Sequence, residues 1–318
     1  MEGMSAPART SVNTIYLLDA SMYVFRAWHS MPGRFFDTEG APVNAVHGFA
    51  RFLIEFVERT RPTHAVAAFD ISLTSSFRNS LYPAYKANRE PAPPELKRQF
   101  EYCREIAAAM GFCVLADVAY EADDLIGSAQ AALRVHGFRS VIVSADKDFG
   151  QLLDGQDEQW DYARNLRWRA DGVHAKMGVH ARQVIDFLAL TGDAVDNIPG
   201  VPGIGPRTAA ALLSHFGTLD EVLARLDEIS YLAIRGAPMV GAKLRAHAEQ
   251  ALLSRRLAAI ALDAPVPRAP EALLRRVPDV AAMDALFERV RLGPMTRARA
   301  QKLVDSFGPS SESAGAVS

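Results

Sequence analysis

Cysteine is nearly absent from this chain of 318 residues. Cys103 and Cys113 are too few for a disulfide framework, and neither has a Cys or His neighbour at zinc-ligand spacing, so buried free thiols in a reducing cytosol are expected. Long apolar runs are absent too, which argues against a membrane span. Residues 1–13 carry Glu2 and Arg9 and have no apolar core of signal-peptide length. A cytoplasmic protein is the expectation. An excess of charge of either sign is also missing: 35 Lys and Arg against 37 Asp and Glu give a net charge of −2. A nucleic-acid binder is usually basic, but bulk charge neither supports nor excludes a polyanionic partner here. Setting aside the acids singled out below would leave the remainder clearly basic. The apolar share of 49% and charged share of 23% are those of an ordinary globular protein with ample core.

The order of elements points to an α/β fold with a mostly parallel central sheet flanked by helices. Residues 15–19, 65–70, 112–115 and 140–144 read as strands. Residues 46–59, 95–110 and 123–136 have helical periodicity, the last two runs stopping at Gly111 and Gly137. Such sheets place ligands at the carboxyl ends of their strands, and Asp19, Asp70 and Asp146 fall there. Residues 71–98 form a long connection of the kind that is usually functional or disordered. From about residue 179 the chain reads as helical. The expected division is an α/β core over 13–178 with the long connection at about 71–98, a helical region with Gly/Pro punctuation over 179–265 and a C-terminal helical region over 266–308. Residues 264–270 read as a linker and the Ser-, Gly- and Ala-rich stretch 309–318 as a disordered tail.

Nine acids occupy positions suited to metal ligands: Asp19, Asp70, Glu121, Asp123, Asp124, Asp146, Asp148, Asp193 and Asp196. Acids at a helix start are often simple caps, and Asp193 with Asp196 alone would pass for a solvated pair. Three acids within the four residues 121–124 repel one another, so capping alone accounts poorly for them. Clusters of acids without histidine suit Mg²⁺ or Mn²⁺ better than zinc. Two such ions would favour in-line phosphodiester hydrolysis.

Two further stretches carry chemistry. Residues 197–210 contain Gly200, Gly203 and Gly205 followed by Arg207, Thr208 and an Ala-rich helix. This helix-hairpin-helix pattern can grip a nucleic-acid backbone without reading sequence. Residues 77–89 interleave Arg78, Lys86 and Arg89 with Phe77, Tyr82 and Tyr85, a mixture suited to single-stranded nucleic acid. Arg26, seven residues after Asp19, could reach the same edge.

The runs L-L-D-A-S-M-Y-V-F-R-A-W-H, F-D, Y-K-A-N-R, E-A-D-D, S-A-D-K-D and G-D-A-V-D-N-I-P-G-V-P-G-I-G resemble the 5′-nuclease domain of bacterial DNA polymerase I, in the flap endonuclease superfamily, over residues 13–265. The resemblance implies a helical arch over the active site. It implies a first metal cluster of Asp19, Asp70, Glu121, Asp123 and Asp124 and a second of Asp146, Asp148, Asp193 and Asp196. It also implies phosphate contacts from Lys86 and Arg89, a ring at Tyr85 that stacks on substrate, and an active-site arginine at Arg26. The hairpin Gly200–Gly205 would hold duplex backbone, with K⁺ at its carbonyls. Met22 departs from the small polar residue usual in the family, and Pro206-Arg207 from an acid followed by lysine. The expectation is a stand-alone, monomeric, Mg²⁺-dependent 5′–3′ exonuclease and flap endonuclease, no polymerase following residue 318. Its substrates would be DNA 5′ ends, flaps and nicks, and RNA primer–DNA hybrids. A non-catalytic DNA-binding protein of the same fold and an RNase of related fold are the alternatives.

Overall fold

The computed structural model describes residues 13–72 and 74–305, so the tail expected at 309–318 lies outside the described residues. Elements run in the order β1 (Thr14–Asp19), α1 (Ala20–Ser30), α2 (Asn44–Thr60), β2 (His64–Asp70), α3 (Phe77–Leu81), α4 (Pro94–Ala109), β3 (Cys113–Asp117), α5 (Ala122–Arg134) and β4 (Arg139–Val143). After β4 come β5 (Glu158–Asp161), β6 (Leu166–Trp168) and α6 (Ala170–Met177). The rest is helical: α7 (Val184–Thr191), α8 (Pro206–Phe216), α9 (Leu219–Ala224), α10 (Ala237–Ala246), α11 (Ala248–Ala258), α12 (Val280–Arg289) and α13 (Pro294–Asp305).

The six strands form one sheet in the order β3-β2-β1-β4-β5-β6. Every pairing is parallel except β5 with β6. The strand order reverses between β1 and β4, and this is where open α/β sheets present a crevice to ligands. Residues Leu17, Leu18, Val141 and Val143 are fully buried, as the central strands of a sheet covered on both faces require. One apolar layer gathers Leu17, Val66, Leu125, Ile126 and Leu188. The other gathers Leu18, Phe49, Phe56, Ile106 and Phe287. Pro94 opens α4, where a missing N–H costs nothing.

Differences from the sequence reading are local. Strands β5 and β6 were not anticipated; at four and three residues, and with Glu158-Gln159 opening β5, they leave little apolar pattern. The supposed linker is packed: Ala264 is fully buried, and its N–H donates to Ser128 Oγ at 2.9 Å. The segment beyond it closes the core. Arg275 N–H donates to Thr63 O, Arg276 N–H to Gly111 O and Asp279 N–H to Ala109 O, each at 2.8 Å. Met283, Leu286 and Phe287 then bury into the second apolar layer. Among the described residues no helix is long and apolar enough to cross a membrane.

Candidate active site

Strand ends bring the acids together. Asp19 is the last residue of β1 and the N-cap of α1: its Oδ1 accepts from Met22 N–H at 3.1 Å, and its Oδ2 accepts from Ser144 Oγ at 2.9 Å. Asp70 ends β2, accepting at Oδ1 from Ala122 N–H at 2.9 Å. Its own N–H donates to Ser21 Oγ at 2.8 Å. The bond to Ala122 places the first turn of α5, and hence Asp123, beside β2. Asp146 follows β4 and caps the 3-10 turn Lys147–Leu152, accepting from Asp148 N–H at 2.9 Å. Asp193 and Asp196 sit in a tight turn closed by paired bonds between Asp193 and Ile198.

These elements surround a cleft of about 400 Å³ lined by Asp19, Asp70, Glu121, Asp123, Asp146, Asp196, Lys86 and Arg89, with Ser21, Met22, Phe25 and Ala145. A larger groove of about 560 Å³ lies elsewhere, along Gln130, Arg134, Leu152 and Arg182, and none of the nine acids lines it. Crowded charge shows in the proton affinities. Burial and the Asp70 carboxylate push Asp19 up to about 7. Burial, then Asp146 and Asp19, push Asp123 well above the ordinary carboxylate range. Asp148 rises to about 7 through burial and Asp146. Asp193 goes the other way: burial opposes its charge, but the bond from Lys147 Nζ at 2.5 Å prevails and holds its pKa low.

Chain cations meet the other acids. Lys86 Nζ lies 2.9 Å from Glu121 Oε1 and 3.7 Å from Asp196 Oδ2. Arg89 is ion-paired to Asp196. Both belong to the 71–98 connection, which forms the five-residue α3, then turns, then α4. This strap is stitched onto the 193–198 turn: Lys86 N–H donates to Asp196 O at 3.0 Å, Asn88 Nδ2 to Ala194 O at 2.8 Å and Asn197 Nδ2 to Ala84 O at 2.6 Å. Lys86 itself sits at φ 53°, in the left-handed region.

Several residues expected in the chemistry lie elsewhere. Asp124 does not reach the cleft; it is fully buried, with both oxygens on Arg78 at 2.7 Å. Arg78 is therefore buried rather than offered to nucleic acid. The Tyr85 ring is buried too, leaving no face on which a base could stack, and its hydroxyl donates to Glu121 Oε2 at 3.0 Å and Asp196 Oδ2 at 3.3 Å. Arg26 is exposed and is not among the residues lining the cleft, a place taken on α1 by Phe25. Asp148 and Asp193 are not among the residues that line the cleft.

Other residues were missed. Gln159 on β5 donates to Ser144 O at 3.2 Å and also to Asp146 O, holding the Asp146 turn. Met22, noted from the sequence but given no role, packs on that turn: its Sδ accepts from Ala145 N–H at 3.4 Å. Lys147, unremarked between two acids, bonds Asp193 and so joins the turn after β4 to the 193–198 turn.

The donor set fits hard divalent cations. It is all oxygen, burial and neighbouring carboxylates raise the pKa of Asp19, Asp123 and Asp148, and Asp148 Oδ1 is buried without a hydrogen-bond donor. As the side chains stand, no three of the described acids close into a ready-made cage; Lys86, Arg89 and Lys147 supply part of the neutralising charge.

Behind the cleft, Gly200 (φ 60°) and Gly203 (φ 75°) need their left-handed backbone. A Cβ on Gly200 would lie 2.2 Å from Gly192 N. Gly205 needs no such freedom; it is near-extended and precedes α8 in open space. Ser254 Oγ accepts from Gly200 N–H at 3.0 Å and Gln250 Nε2 donates to Gly200 O at 2.7 Å, so α11 splints the hairpin. Arg207 is exposed beyond it and Thr208 partly so. The Lys243 ammonium lies against Gly203.

An acid-lined crevice in a mostly parallel sheet, joined to a helical unit with a Gly-Pro hairpin, defines a resolvase-like nuclease fold. Residues 14–178 match the 5′-3′ exonuclease N-terminal resolvase-like domain, and 179–281 match the 5′-3′ exonuclease C-terminal SAM fold. The chain belongs to the 5′-3′ exonuclease family. It is 36% identical over 291 residues to DNA polymerase I of Mycobacterium bovis and 38% identical over 277 residues to that of Pseudomonas aeruginosa. These matches cover 89% and 87% of the chain but only 31% and 30% of the relatives. The chain thus spans about a third of the curated relatives it matches. Its fold is shared with the 5′-exonuclease of T5, solved with divalent zinc (TM-score 0.62, 17% identity, 92% of this chain and 98% of that one). It is shared also with the catalytic core of Rad2 in complex with DNA substrate (TM-score 0.60, 12% identity, 92% of each chain).

Proposed function

We propose that this chain is a Mg²⁺-dependent, structure-specific 5′–3′ exonuclease and flap endonuclease acting on DNA 5′ ends, flaps and nicks and on RNA primers, in replication and repair. The carrying observation is the cleft at the β1/β4 crossover, where Asp19, Asp70, Glu121, Asp123, Asp146 and Asp196 converge and the strap cations Lys86 and Arg89 meet Glu121 and Asp196. Asp19, Asp70, Glu121, Asp123 and Asp146 would hold one divalent ion, and Asp148, Asp193 and Asp196 a second. Bound ions would supply Lewis acidity toward the attacking water and the leaving oxygen; Mn²⁺ would serve in place of Mg²⁺.

The chain's own residues do the rest. The start of α8, with Gly205 and Arg207 exposed and Thr208 partly so, would engage duplex phosphates through helix N-terminal N–H groups and positive charge, the Gly200–Gly203 turn holding it in place. The Lys243 ammonium would add to this grip, with K⁺ as a further cation at the hairpin carbonyls. Lys86 and Arg89 would exchange their carboxylate partners for the scissile phosphate, neutralising charge as it builds. The strap, tied to the 193–198 turn, would restrict access to single-stranded 5′ ends. A monomer in the cytoplasm completes the reading.

The test is cleavage of labelled 5′-flap, nicked, single-stranded and RNA–DNA substrates with and without Mg²⁺. Asp148→Asn should abolish cleavage while leaving flap binding in Ca²⁺ intact. Full activity of that variant would refute the second metal position, and metal-independent cleavage would refute the mechanism.

A further inference from the structure

Arg78 and Asp124 form a forked ion pair, both buried, outside the cleft. Asp124 is saturated. Beyond the two Arg78 bonds, its Oδ1 accepts from Ala261 N–H at 2.8 Å and its Oδ2 from Glu121 N–H at 3.1 Å. A carboxylate has about four lone-pair sites, so these donors leave none for an ion. Arg78 spends its remaining donors on Leu257 O at 2.9 Å and Ala259 O at 2.7 Å, and lies 3.5 Å from Glu121 Oε2.

These bonds join three parts of the molecule that chemistry needs in register. Arg78 belongs to the strap, pinned again where Asn79 Nδ2 donates to Tyr85 O at 3.1 Å, next to Lys86. Asp124 belongs to the turn that presents Glu121 and Asp123. Leu257 lies in the last turn of α11, whose Gln250 and Ser254 hold the hairpin at Gly200. We infer that the Arg78–Asp124 pair is a positioning device that sets the strap cations against the Glu121–Asp123 carboxylates, and that Asp124 is not itself a metal ligand. Only a planar fork with five donors fills this socket; a lysine cannot.

This inference rests on the nuclease reading, and the experiment separates the two. A neutral pair, Arg78→Gln with Asp124→Asn, removes both charges so that neither is left buried alone. It is compared with wild type, Arg78→Lys and Asp123→Asn for Mn²⁺ affinity by calorimetry, flap-DNA affinity in Ca²⁺, and kcat and KM on a 5′ flap. The neutral pair should keep wild-type Mn²⁺ and DNA affinity and KM, while kcat falls about 100-fold, the cost of misplacing a reacting group by about 1 Å. Asp123→Asn should instead lose Mn²⁺ affinity. Arg78→Lys should fall between wild type and the neutral pair in kcat with Mn²⁺ affinity unchanged, and it decides the matter if the neutral pair fails to fold. Loss of Mn²⁺ affinity in the neutral pair would make Asp124 a ligand, and wild-type kcat in either Arg78 variant would reduce the pair to scaffolding; both overturn the inference. A wild-type protein that cleaves no 5′ substrate with either metal would sink the nuclease reading instead.

Discussion

Replacing Asp19 by Asn should leave the metal-free protein nearly as stable as wild type at pH 4 and make it more stable at pH 8. The direction follows from proton linkage. Asp19 has its carboxyl raised from 3.8 to about 7 by burial and by Asp70, so the folded state holds a proton that the unfolded chain releases. Stability from that proton is fully present below about pH 4 and is lost as pH rises through about 7. Asparagine imitates the protonated form permanently: its oxygen still accepts from Met22 N–H, and its amide can meet Ser144. A shift of this size corresponds to a few kcal/mol at most, each unit being worth about 1.4 kcal/mol. In a chain of this length that is several degrees in melting temperature. The assay is thermal unfolding of both proteins in chelator from pH 4 to 8. The gap should open with pH and close when saturating Mn²⁺ is added, because the ion neutralises the carboxylate in wild type and has lost a ligand in the variant. A gap that is independent of pH would show that Asp19 is ionised throughout and would refute the crowded-charge account.

Lys86→Ala should lower kcat for flap cleavage by about 100- to 1,000-fold, the usual effect of deleting one preorganised group that meets transition-state charge. Duplex binding should be unchanged; a loss in Kd alone would remove Lys86 from the chemistry. Gly200→Ala combines a φ of 60° with a clash 2.2 Å from Gly192 N, so flap affinity in Ca²⁺ should fall sharply while single-strand affinity persists. Equal losses on both substrates would argue against the hairpin as a duplex site. Gly111→Ala would drive a Cβ to within 2.0 Å of Arg276 O at a φ of 87°. Undocking of 274–305 should follow, seen as faster amide exchange there and a stability loss of about 2–3 kcal/mol, with the cleft's Mn²⁺ affinity kept.

The strand ends were legible because a buried apolar run that closes on a carboxylate is costly unless positive charge meets it there; Asp19, Asp70 and Asp146 do stand at one edge of the sheet. The E-A-D-D run was harder. Neighbouring residues on a helix do not share a face, so Asp123 and Asp124 could not both look into one cleft, and that spacing was the available signal. For Arg78 and Tyr85 no local signal exists. Interleaved cations and rings describe a segment that binds something, and here the partners are the chain's own Asp124, Glu121 and Asp196. Residues 264–270 misled through composition, since a Pro-rich stretch also suits an extended segment laid into the core, as the burial of Ala264 and Val266 shows. Gln159 acts through two carbonyls, and a glutamine in a four-residue strand announces nothing of that.

Partnership divides the nine acids more sharply than their order in the chain. Asp124, Glu121, Asp193 and Asp196 each meet a cation at hydrogen-bond distance, on Arg78, Lys86, Lys147 and Arg89. Asp19 and Asp123 have no such partner and rise in pKa, and Asp148 rises with Lys147 no closer than 3.9 Å. Positive charge is therefore still lacking at the β1/β4 crossover and not at the strap. An ion arriving there first meets the carboxylates with most to gain from it. Ion occupancy should accordingly begin among Asp19, Asp70, Asp123 and Asp146, and only then compete with Lys147 for Asp193. A Mn²⁺ titration should show two steps, the weaker of which tightens in Lys147→Ala; a single step unaffected by that change would refute this order.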